Sequence, residues 1–582
     1  MAAGTFLVWL RVFYWLATPK GKMLFDRLVW VLSGVMLTNY MFFGTNLGII
    51  SSTLQYEKEM FFSQTERLLN IAVIFAIVIL FYFVVRKWHK FATGILLSAV
   101  VALGAMSAIN MIKINSSVND ISVNGTTDTI TFEMSTEGQN VVVLVLDRAM
   151  GEFIPYILNE KPELKEQLDG FTYYSNTISF GTHTNFALPA LSGGYDYTPV
   201  EMNIRDTEKL VTKHNESLQV MPVLFDENDY DVTVCDPAYA NYQWISDTSI
   251  YDEYPDIQAY LTDGMFINDD QKVMEIQNNL RNFFCFSVMK TMPVIMQPRI
   301  YYLGTYNKTQ TIEGLNCPTQ QIENISVAKG YNKNFLNEYN TLCNMSHMTD
   351  VVEDKNNTFL FMFNDVTHNP VLLKEPEYIP EYEIDNTQYD AEHSDRFTVD
   401  GNSIKMETSE QMSHYHTNMA ALLKIGEWLY FLRENEVYDN TRIIIVSDHG
   451  YTNHHIDELT FDDGTDIYKN IEGYYPLLLV KDFNATGFTT SEEFMTNADV
   501  PTLATQGIIE NPINPFTGKE INNEEKTAHE QMVILSEDWD VSINNGNTFL
   551  PARWASISDN LWDKDNWKFY EDEIILKEHK LP

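Results

Sequence analysis

Three long apolar stretches lie close together near the start of the chain. Residues 28–50, 69–85 and 91–112 contain no charged side chain, and each approaches or exceeds the roughly 20 residues that an α-helix needs to cross a hydrocarbon core. Residues 5–17 are also apolar, but Arg11 interrupts them, so this segment is either a partial span or an interfacial segment. The pattern predicts a transmembrane region over residues 1–112.

The charges between the apolar stretches predict how this region is oriented. Lys and Arg side chains are retained on the cytoplasmic side of a membrane. They are concentrated in residues 18–27 and 86–90, whereas residues 51–68 are net acidic. We therefore expect a multi-pass protein of the cell membrane, in which everything after Lys113 is extracytoplasmic.

The net charge excludes one class of function. The chain of 582 residues has a formal net charge of −41, and its first 112 residues carry nine basic and four acidic side chains. The acidic excess therefore lies in the remainder, which argues against nucleic-acid binding by a basic surface. A hydrophobic fraction of 45% is sufficient for a packed core, so the acidic part should be a folded domain.

A polar segment separates the membrane region from an alternating pattern. Residues 113–139 are rich in Ser, Thr, Asn and Gly and lack apolar periodicity, as expected of a linker. Four short apolar runs follow at 141–146, 359–363, 443–446 and 477–480, and each is typical of a buried parallel strand. Helical patterns lie between them, most clearly at 412–434. The alternation predicts an α/β domain, with a mostly parallel sheet covered by helices on both faces.

Potential metal ligands follow three of these four runs. Functional side chains in open α/β sheets gather beyond the carboxyl ends of the strands. The residues found there are Asp147 after the first run, Asp365 and His368 after the second, and Asp448 and His449 after the third. Adjacent Asp and His side chains supply the oxygen and nitrogen donors that Zn²⁺ or Mn²⁺ accepts. The sequence therefore predicts a divalent metal site at this edge of the sheet.

The segment SFGTHTNFALPALSGG, at 179–194, offers a nucleophile for such a metal. Thr182 and Thr184 stand in a turn that begins with glycine and leads into an apolar stretch. A hydroxyl at a helix start lies beside backbone N–H groups that bind anions. Taken alone, Thr184 fits an N-terminal helix cap as well as it fits a nucleophile.

The order of these motifs resembles the sulfatase-like branch of the alkaline phosphatase superfamily. Asp147, GTHTNFALPALSGG, DVTHNP, a long helix and YDNTRIIIVSDHG carry the resemblance, and NADVPTLATQGI looks like that family's closing strand-helix region. It covers roughly residues 140–519. True sulfatases of the branch carry a Cys/Ser-x-Pro-x-Arg motif, which this sequence lacks. Sulfate-ester hydrolysis is therefore disfavoured.

Within the branch, the sequence is most similar to membrane-anchored lipoteichoic acid synthases and phosphoethanolamine transferases. Their nucleophilic Thr follows a Gly by three residues and precedes a Pro by five, which matches Gly181, Thr184 and Pro189. The resemblance implies that Mn²⁺ or Zn²⁺ is held by Asp147, Thr184, Asp448 and His449, and that His368 contacts the phosphate. The first acid is commonly Glu in these transferases, and Asp147 is one methylene shorter.

This resemblance implies a phosphotransferase. The hydroxyl of Thr184 would attack the phosphorus of a phospholipid donor, and a cell-surface glycan or lipid acceptor would then take the phosphoglycerol or phosphoethanolamine-type head group from the phosphothreonine. The alternative is a metal-dependent phosphodiesterase, phosphatase or other sulfatase-like hydrolase, in which water replaces the acceptor. A third interpretation is a non-enzymatic sensor that retains the fold.

Further residues are candidates for the same pocket. Asp365, His416 and His454 are predicted to bind substrate together with His368, while His414 and His455 fit the pocket and the surface equally well. The catalytic domain is predicted over residues 140–520, with residues 521–582 as an extension packed on it. The four Cys allow three disulfide pairings, between which the sequence does not choose.

Overall fold

The structure, a computed structural model, describes residues 8–43, 54, 56, 60–124, 130–244, 246–266, 269–302, 304, 306, 325–461 and 466–580. The helices are α1 (Leu10–Leu16), α2 (Pro19–Phe42), α3 (Gln64–Lys87), α4 (His89–Asn124), α5 (Ile154–Glu160), α6 (Pro162–Gln167), α7 (Thr184–Gly193), α8 (Pro199–Ile204), α9 (Leu210–Asp226), α10 (Asp269–Thr291), α11 (Gln297–Tyr301), α12 (Lys333–Cys343), α13 (Met345–Met348), α14 (Thr387–Glu392), α15 (Ser409–Glu434), α16 (Val500–Thr505) and α17 (Glu525–Ala528).

The strands are β1 (Phe132–Ser135), β2 (Asn140–Leu146), β3 (Phe171–Tyr174), β4 (Thr177–Ile178), β5 (Tyr230–Cys235), β6 (Gln258–Tyr260), β7 (Val327–Lys329), β8 (Thr349–Val352), β9 (Asn357–Asn364), β10 (Glu383–Asp385), β11 (Thr398–Val399), β12 (Asn402–Ser403), β13 (Thr441–Val446), β14 (Leu478–Lys481), β15 (Thr489–Ser491), β16 (Met495–Thr496), β17 (Gln531–Leu535), β18 (Ala552–Ile557) and β19 (Trp567–Ile574). The chain divides into two compact units, residues 1–129 with 269–312, and residues 130–268 with 313–582.

The first unit is helical and includes an insertion from later in the chain. Residues 269–312 lie inside the predicted catalytic domain of 140–520, but they group with α1 to α4. Hydrogen bonds between described residues join the insertion to the amino-terminal part: Tyr56 N–H donates to Tyr301 Oη at 2.7 Å, Val294 N–H donates to Asn70 Oδ1 at 3.2 Å, and Tyr306 O–H donates to Leu54 O at 2.5 Å. Apolar periodicity could not assign this insertion, because its partners are more than 200 residues away.

The structure has helices where the three spans are predicted. Among the described residues, one helix, Gln64–Val84, is long and apolar enough to cross a membrane by length and composition. Helix α2 covers the first part of the span at 28–50, and residues 44–50 of that span lie outside the described residues. Helix α4 covers 91–112 and contains a shorter apolar segment, Val100–Lys113. The multi-pass arrangement therefore stays a prediction.

The polar linker differs from the prediction at both of its ends. Helix α4 continues to Asn124, because Ser, Thr and Asn lower helix propensity without terminating a helix that is already formed. The other end contains β1, which pairs in parallel with β8. Asn140 fixes the turn after β1, since its side chain accepts from Ser135 N–H at 2.9 Å and donates to Ser135 O at 3.0 Å.

An eight-stranded sheet is the centre of the second unit. Its strand order is β15-β3-β14-β13-β2-β9-β5-β6. All neighbouring pairs are parallel except those that involve β14, which runs antiparallel to β13 and β3. The predicted parallel strand at 477–480 is thus a strand in the opposite direction. A parallel return requires a crossover connection, usually a helix. The described residues between β13 and β14, 447–461 and 466–477, contain short 3₁₀ turns and no α-helix.

The central strands are buried on both faces, as their continuous apolar runs predict. Every residue of β2 and of β13 is buried. The side chains of Val141, Val143 and Val145 join a core cluster with Leu188 of α7 and Leu218 of α9, and the alternate positions of the strand point to the opposite face. This packing fixes the carboxyl ends of β13, β2 and β9 side by side.

The carboxyl-terminal extension packs on the helix that carries Thr184. Strands β17, β18 and β19 form an antiparallel sheet, and Ile534 N–H donates to Phe180 O at 3.0 Å. Phe186 of α7 shares a core cluster with Ile534 and Trp554. Of the described cysteines, Cys235, Cys285 and Cys343 are free, and Cys317 lies outside the described residues.

Candidate active site

Two adjacent strands and one helix bring the predicted metal ligands to one place. Asp147 follows β2 directly, and Asp448 and His449 come just after β13, the parallel neighbour of β2. Thr184 is the first residue of α7. The turn after His449 requires glycine, because a Cβ on Gly450 would lie 2.0 Å from the Glu472 carbonyl oxygen.

The ligand atoms of this cluster converge on a small space. Asp147 Oδ1 lies 3.7 Å from His449 Nε2, and Asp448 Oδ2 lies 3.6 Å from the same nitrogen. Thr184 Oγ1 is 3.4 Å from Asp147 Oδ2. Asp448 and His449 are each 1% exposed, so this is a largely dry site.

The protonation of His449 indicates what the space can hold. His449 Nδ1 lies 2.7 Å from the Gly450 carbonyl oxygen, which only accepts, so Nδ1 carries the proton and Nε2 presents a lone pair to the two carboxylates. His449 Nε2, Asp147 Oδ1 and Asp448 Oδ2 are buried and have no hydrogen-bond partner among the described residues. Three buried acceptors that face one another fit a divalent cation.

The pKa values of the cluster agree with this interpretation. Burial and the negative charge of Asp448 raise the pKa of Asp147 to about 7, and burial raises the pKa of Asp448 to about 6. Burial lowers the pKa of His449 to about 4, so the ring is neutral at pH 7 and available as a ligand. The two carboxylates repel each other until a cation balances their charge.

Thr184 lies at an open helix end. His183 occupies the N-cap position of α7 without a side-chain capping hydrogen bond, which leaves the first backbone N–H groups of this ten-residue helix available to an anion. Thr184 is 8% exposed. Thr182 contacts the His183 ring, with Oγ1 3.0 Å from Nδ1. The geometry thus brings Thr184, rather than Thr182, to Asp147.

Arg148 is a site residue that the sequence analysis missed. Its positive charge affects the pKa values of Asp147, Asp448 and His449, and its guanidinium lies 5.1 Å from the centre of the Tyr451 ring. The backbone at Arg148 is left-handed, with φ of 62°. Its position directly after Asp147 was the only signal in the sequence, and the strained turn after β2 is what directs it to the cluster.

The loop after β9 brings His368 to the edge of the site. His368 Nε2 lies 4.0 Å from Asp147 Oδ2, and 37% of the His368 side chain is exposed. Partial loss of hydration and the charge of Arg148 lower the pKa of His368 to about 4. Asp365 keeps solvent contact, yet the surrounding protein and the negative charge of Asp147 raise its pKa to about 6. His368 therefore lies beside the cluster, and Asp365 is close enough for its charge to interact with that of Asp147.

Two predicted substrate ligands contact other parts of the unit. His416 is fully buried, where its Nδ1 accepts from Leu373 N–H at 3.0 Å and its Nε2 lies 3.1 Å from Glu375 Oε1. His454 Nδ1 accepts from Asn470 Nδ2 at 3.1 Å. The periodicity of α15 directs His416 into the core of the unit. The backbone of His454 is left-handed, with φ of 55°, and directs its side chain towards Asn470.

Asn497 joins α7 to the segment that follows β13. Its Nδ2 donates to the Asp448 carbonyl oxygen at 2.7 Å and to the Ala187 carbonyl oxygen of α7 at 3.2 Å. Asn497 is fully buried. It belongs to the NADVPTLATQGI segment, whose resemblance to the family's closing region was the sequence signal for this position.

Two exposed tryptophans lie beside the loop that precedes Thr184. The ring of Trp539 stacks on His183, with ring centres 5.8 Å apart and 5° between the planes. Trp244 contacts Trp539 edge to face at 5.1 Å. Trp539 is 36% exposed and Trp244 is 42% exposed. These rings offer an exposed aromatic surface next to His183, the residue before Thr184.

Solved structures offer a comparison for this arrangement. No protein-family model and no curated protein matches the sequence. A lipoteichoic acid synthase from Listeria monocytogenes is 11% identical, with 75% of this chain and 87% of that chain covered and a TM-score of 0.37. A protein in the alkaline phosphatase superfamily from Vibrio parahaemolyticus is 12% identical, with 76% and 84% covered and a TM-score of 0.36.

A phosphonate monoester hydrolase from Silicibacter pomeroyi is 13% identical, with 72% of this chain and 85% of that chain covered and a TM-score of 0.36. At these TM-scores the likeness carries no argument about activity. The function therefore rests on the geometry of the site.

Proposed function

We propose that this chain is a sulfatase-like, metal-dependent phosphotransferase that works through a phosphothreonine at Thr184. The observation that carries the proposal is the position of the Thr184 hydroxyl, 3.4 Å from Asp147 Oδ2 and at the uncapped start of α7. Asp147, Thr184, Asp448 and His449 would hold Mn²⁺ or Zn²⁺. A bound cation of this kind lowers the pKa of a neighbouring hydroxyl and balances the charge of a phosphoryl group.

The residues around Thr184 suit the transfer of an anionic group. Thr184 Oγ1 would form a bond to phosphorus while the bond from phosphorus to the diacylglycerol oxygen breaks, and the acceptor hydroxyl would then displace Thr184. Arg148 and the N–H groups of α7 would bind the phosphoryl oxygens. His368, at the exposed edge of the site, would contact the same phosphate from the solvent side.

We further propose a phospholipid as donor and a cell-surface glycan or lipid as acceptor. The apolar stretches at the start of the chain support an anchor in the membrane that holds the donor. The exposed rings of Trp244 and Trp539 support a glycan or lipid as the acceptor, because aromatic faces pack against the apolar faces of sugars and against acyl chains. The catalytic unit would then be extracytoplasmic, attached to a multi-pass anchor.

A hydrolase is the second candidate function. The observation in its favour is the exposure of His368, 37% of whose side chain reaches solvent beside Asp147. Water could enter at this edge and take the place of the acceptor, which would give a phosphodiesterase or phosphatase. The two functions share the phosphothreonine and differ only in what attacks it.

Intact mass spectrometry tests the proposal directly. The full-length protein in detergent is incubated with Mn²⁺ or Zn²⁺ and with phosphatidylglycerol or phosphatidylethanolamine, and its mass is compared with that of Thr184→Ala. We expect a covalent adduct only where Thr184 is present, with a mass that distinguishes phosphoglycerol from phosphoethanolamine. Release of the head group into water without an acceptor would favour the hydrolase.

Thr182→Ala is the matched control. It removes the same atoms from the same turn, two residues before the proposed nucleophile, and its hydroxyl contacts His183 rather than Asp147. The adduct should therefore persist in Thr182→Ala. An adduct that survives in Thr184→Ala and disappears in Thr182→Ala would transfer the nucleophile assignment to Thr182.

A further inference from the structure

A second cluster of potential metal ligands lies in the interior of the catalytic unit. Glu152, His455 and Glu472 each offer one ligand atom, and these atoms lie within 4.8 Å of one another. His455 Nδ1 is 3.6 Å from Glu152 Oε1 and 3.9 Å from Glu472 Oε2. The side chains of all three residues are fully buried. None of them belongs to the group of Asp147, Asp448 and His449, which we call the catalytic cluster.

His455 directs an unprotonated ring nitrogen at the two carboxylates. Its Nε2 lies 3.5 Å from the Gln411 carbonyl oxygen, which only accepts, so this nitrogen carries the proton. Nδ1 then has its lone pair directed at Glu152 and Glu472, and it has no hydrogen-bond partner among the described residues. Three acceptors facing one another repel unless a positive charge lies between them.

Glu152 is the residue whose surroundings require such a charge. Both of its carboxylate oxygens are buried without a hydrogen-bond partner in the described part of the chain. A buried ionised carboxylate without a partner is strongly unfavourable, and a neighbouring cation would balance its charge.

Glu472 is held differently, in a way that orients it. Its Oε1 accepts from Ile456 N–H at 2.6 Å, and its Oε2 accepts from Asn453 N–H at 3.2 Å. These donors fix the direction of the carboxylate towards His455. Oriented carboxylates and a singly protonated imidazole, held by outer hydrogen bonds, are typical of structural metal sites.

We infer that Glu152, His455 and Glu472 form a second, structural site for a divalent transition metal ion such as Zn²⁺. One nitrogen and two carboxylate oxygens suit Zn²⁺. Tetrahedral coordination at about 2.1 Å separates ligand atoms by about 3.4 Å, and the 3.6 and 3.9 Å distances to His455 are within reach of this value by small side-chain rotations. The inference does not rest on the proposed function.

The position of this site suggests what its metal does. Glu152 lies five residues after Asp147, and His455 lies six residues after His449. Gly450 N–H donates to Gly473 O at 3.1 Å, so the catalytic turn rests against the segment that contains Glu472. A cation there would join the loops that follow β2 and β13, and would hold Asp147 and His449 in place from behind.

Metal counting tests the inference. The full-length protein is produced in medium with added Zn²⁺, purified in detergent, freed of loose metal by gel filtration in a weak chelator, and analysed by elemental mass spectrometry. We expect about two zinc ions per chain in the wild type and about one in the Asp147→Asn/Asp448→Asn variant, whose catalytic ligands are neutralised. Adding Glu152→Gln to that variant should remove the remaining ion.

Each result decides the question. If the Asp147→Asn/Asp448→Asn protein contains no zinc, the second site is overturned. The second site is also overturned if the remaining ion is still bound after Glu152→Gln is added. Glu458→Gln, an exposed glutamate of the same region, is the matched control and should leave the metal count unchanged. If Glu152→Gln does not fold, zinc X-ray absorption of the Asp147→Asn/Asp448→Asn protein replaces it: a nitrogen and oxygen shell with one imidazole supports the site, and a shell without imidazole overturns it.

Discussion

The catalytic cluster and the Glu152–His455–Glu472 cluster are built on the same arrangement of donors. In each, a histidine directs one ring nitrogen at a backbone carbonyl and the other at two carboxylates, at 3.6 to 3.9 Å. They differ in their neighbours. The catalytic cluster adjoins the Thr184 hydroxyl, the Arg148 guanidinium and the exposed His368, whereas the second cluster is enclosed by protein.

This difference shows that the set of ligand atoms alone does not determine whether a metal site is catalytic or structural. A cation can hold two loops together in either place. Among the described residues, the catalytic cluster alone has a hydroxyl within 3.4 Å of a ligand oxygen and a partly exposed histidine beside it. Access and a nucleophile distinguish a catalytic metal site from a structural one. We therefore expect substitutions at the first cluster to affect turnover and substitutions at the second to affect stability.

The largest expected effect is the loss of turnover in Thr184→Ala. Removing the nucleophile should lower kcat by about 10⁴-fold or more, since no other hydroxyl of the turn contacts Asp147 in the described structure. Metal binding should be weakened but still detectable, because Asp147, Asp448 and His449 remain. Head-group transfer from a labelled phospholipid is the measurement, and wild-type turnover in this variant would contradict the assignment.

Glu152→Gln should lower stability and leave the reaction at Thr184 intact. If the second cluster holds a metal ion, its loss should remove a stabilisation of about 4 kcal/mol at free metal about 1,000-fold above Kd. Thermal unfolding, followed by tryptophan fluorescence, should show a lower midpoint for Glu152→Gln, and the phosphothreonine adduct should still form below that midpoint. A variant that unfolds like the wild type but has lost the adduct would erase the distinction between the two clusters.

The catalytic cluster should also respond to pH in a defined direction. In the metal-free protein the pKa of Asp147 rises from 3.8 to about 7. The folded state therefore keeps a proton that the unfolded chain releases, and metal-free stability falls as the pH rises from about 4 to about 7. A cation competes with that proton, so its affinity rises over the same interval.

The increase in unfolding temperature caused by metal should consequently be larger at about pH 8 than at about pH 5. Glu152→Gln is the suitable background for this measurement, because it isolates the catalytic cluster. A metal-induced increase that is larger at the lower pH would contradict the assigned ligands.

A smaller effect is expected from Asn497→Ala. This substitution removes the two hydrogen bonds that tie α7 to the strand end of Asp448. A small displacement of Thr184 from the metal ligands should lower kcat about 10-fold to 100-fold, with little change in KM. Asn545→Ala, which removes an exposed asparagine, is the control and should match the wild type.

The smallest expected effect is that of Trp539→Ala. If the rings of Trp244 and Trp539 bind the acceptor, KM for the acceptor should increase by about 5-fold to 10-fold, equivalent to about 1 kcal/mol. Trp562 has a similar exposure of 38% but packs against Tyr475, so Trp562→Ala should leave KM unchanged. Equal effects of both substitutions would indicate general destabilisation of the extension.

The central fold could be predicted from the sequence because its strands are buried on both faces. Such strands need continuous apolar runs, and 141–146, 359–363 and 443–446 have them. The direction of β14 could not be predicted, since an apolar run looks the same in both directions. The helical insertion at 269–312 and the pairing of β1 with β8 depend on contacts between residues far apart in the chain.

The sequence by itself determined which residues follow the strands, and therefore that Asp147, Asp448 and His449 meet at one edge of a sheet. The order of motifs also singled out Thr184. Only the tertiary structure decided that Arg148 joins this cluster, that His416 packs in the core, and that His455 faces Glu152 and Glu472. Strand ends are specified locally by the alternation of elements, whereas the direction of a side chain in a loop depends on contacts with distant segments that the local sequence does not encode.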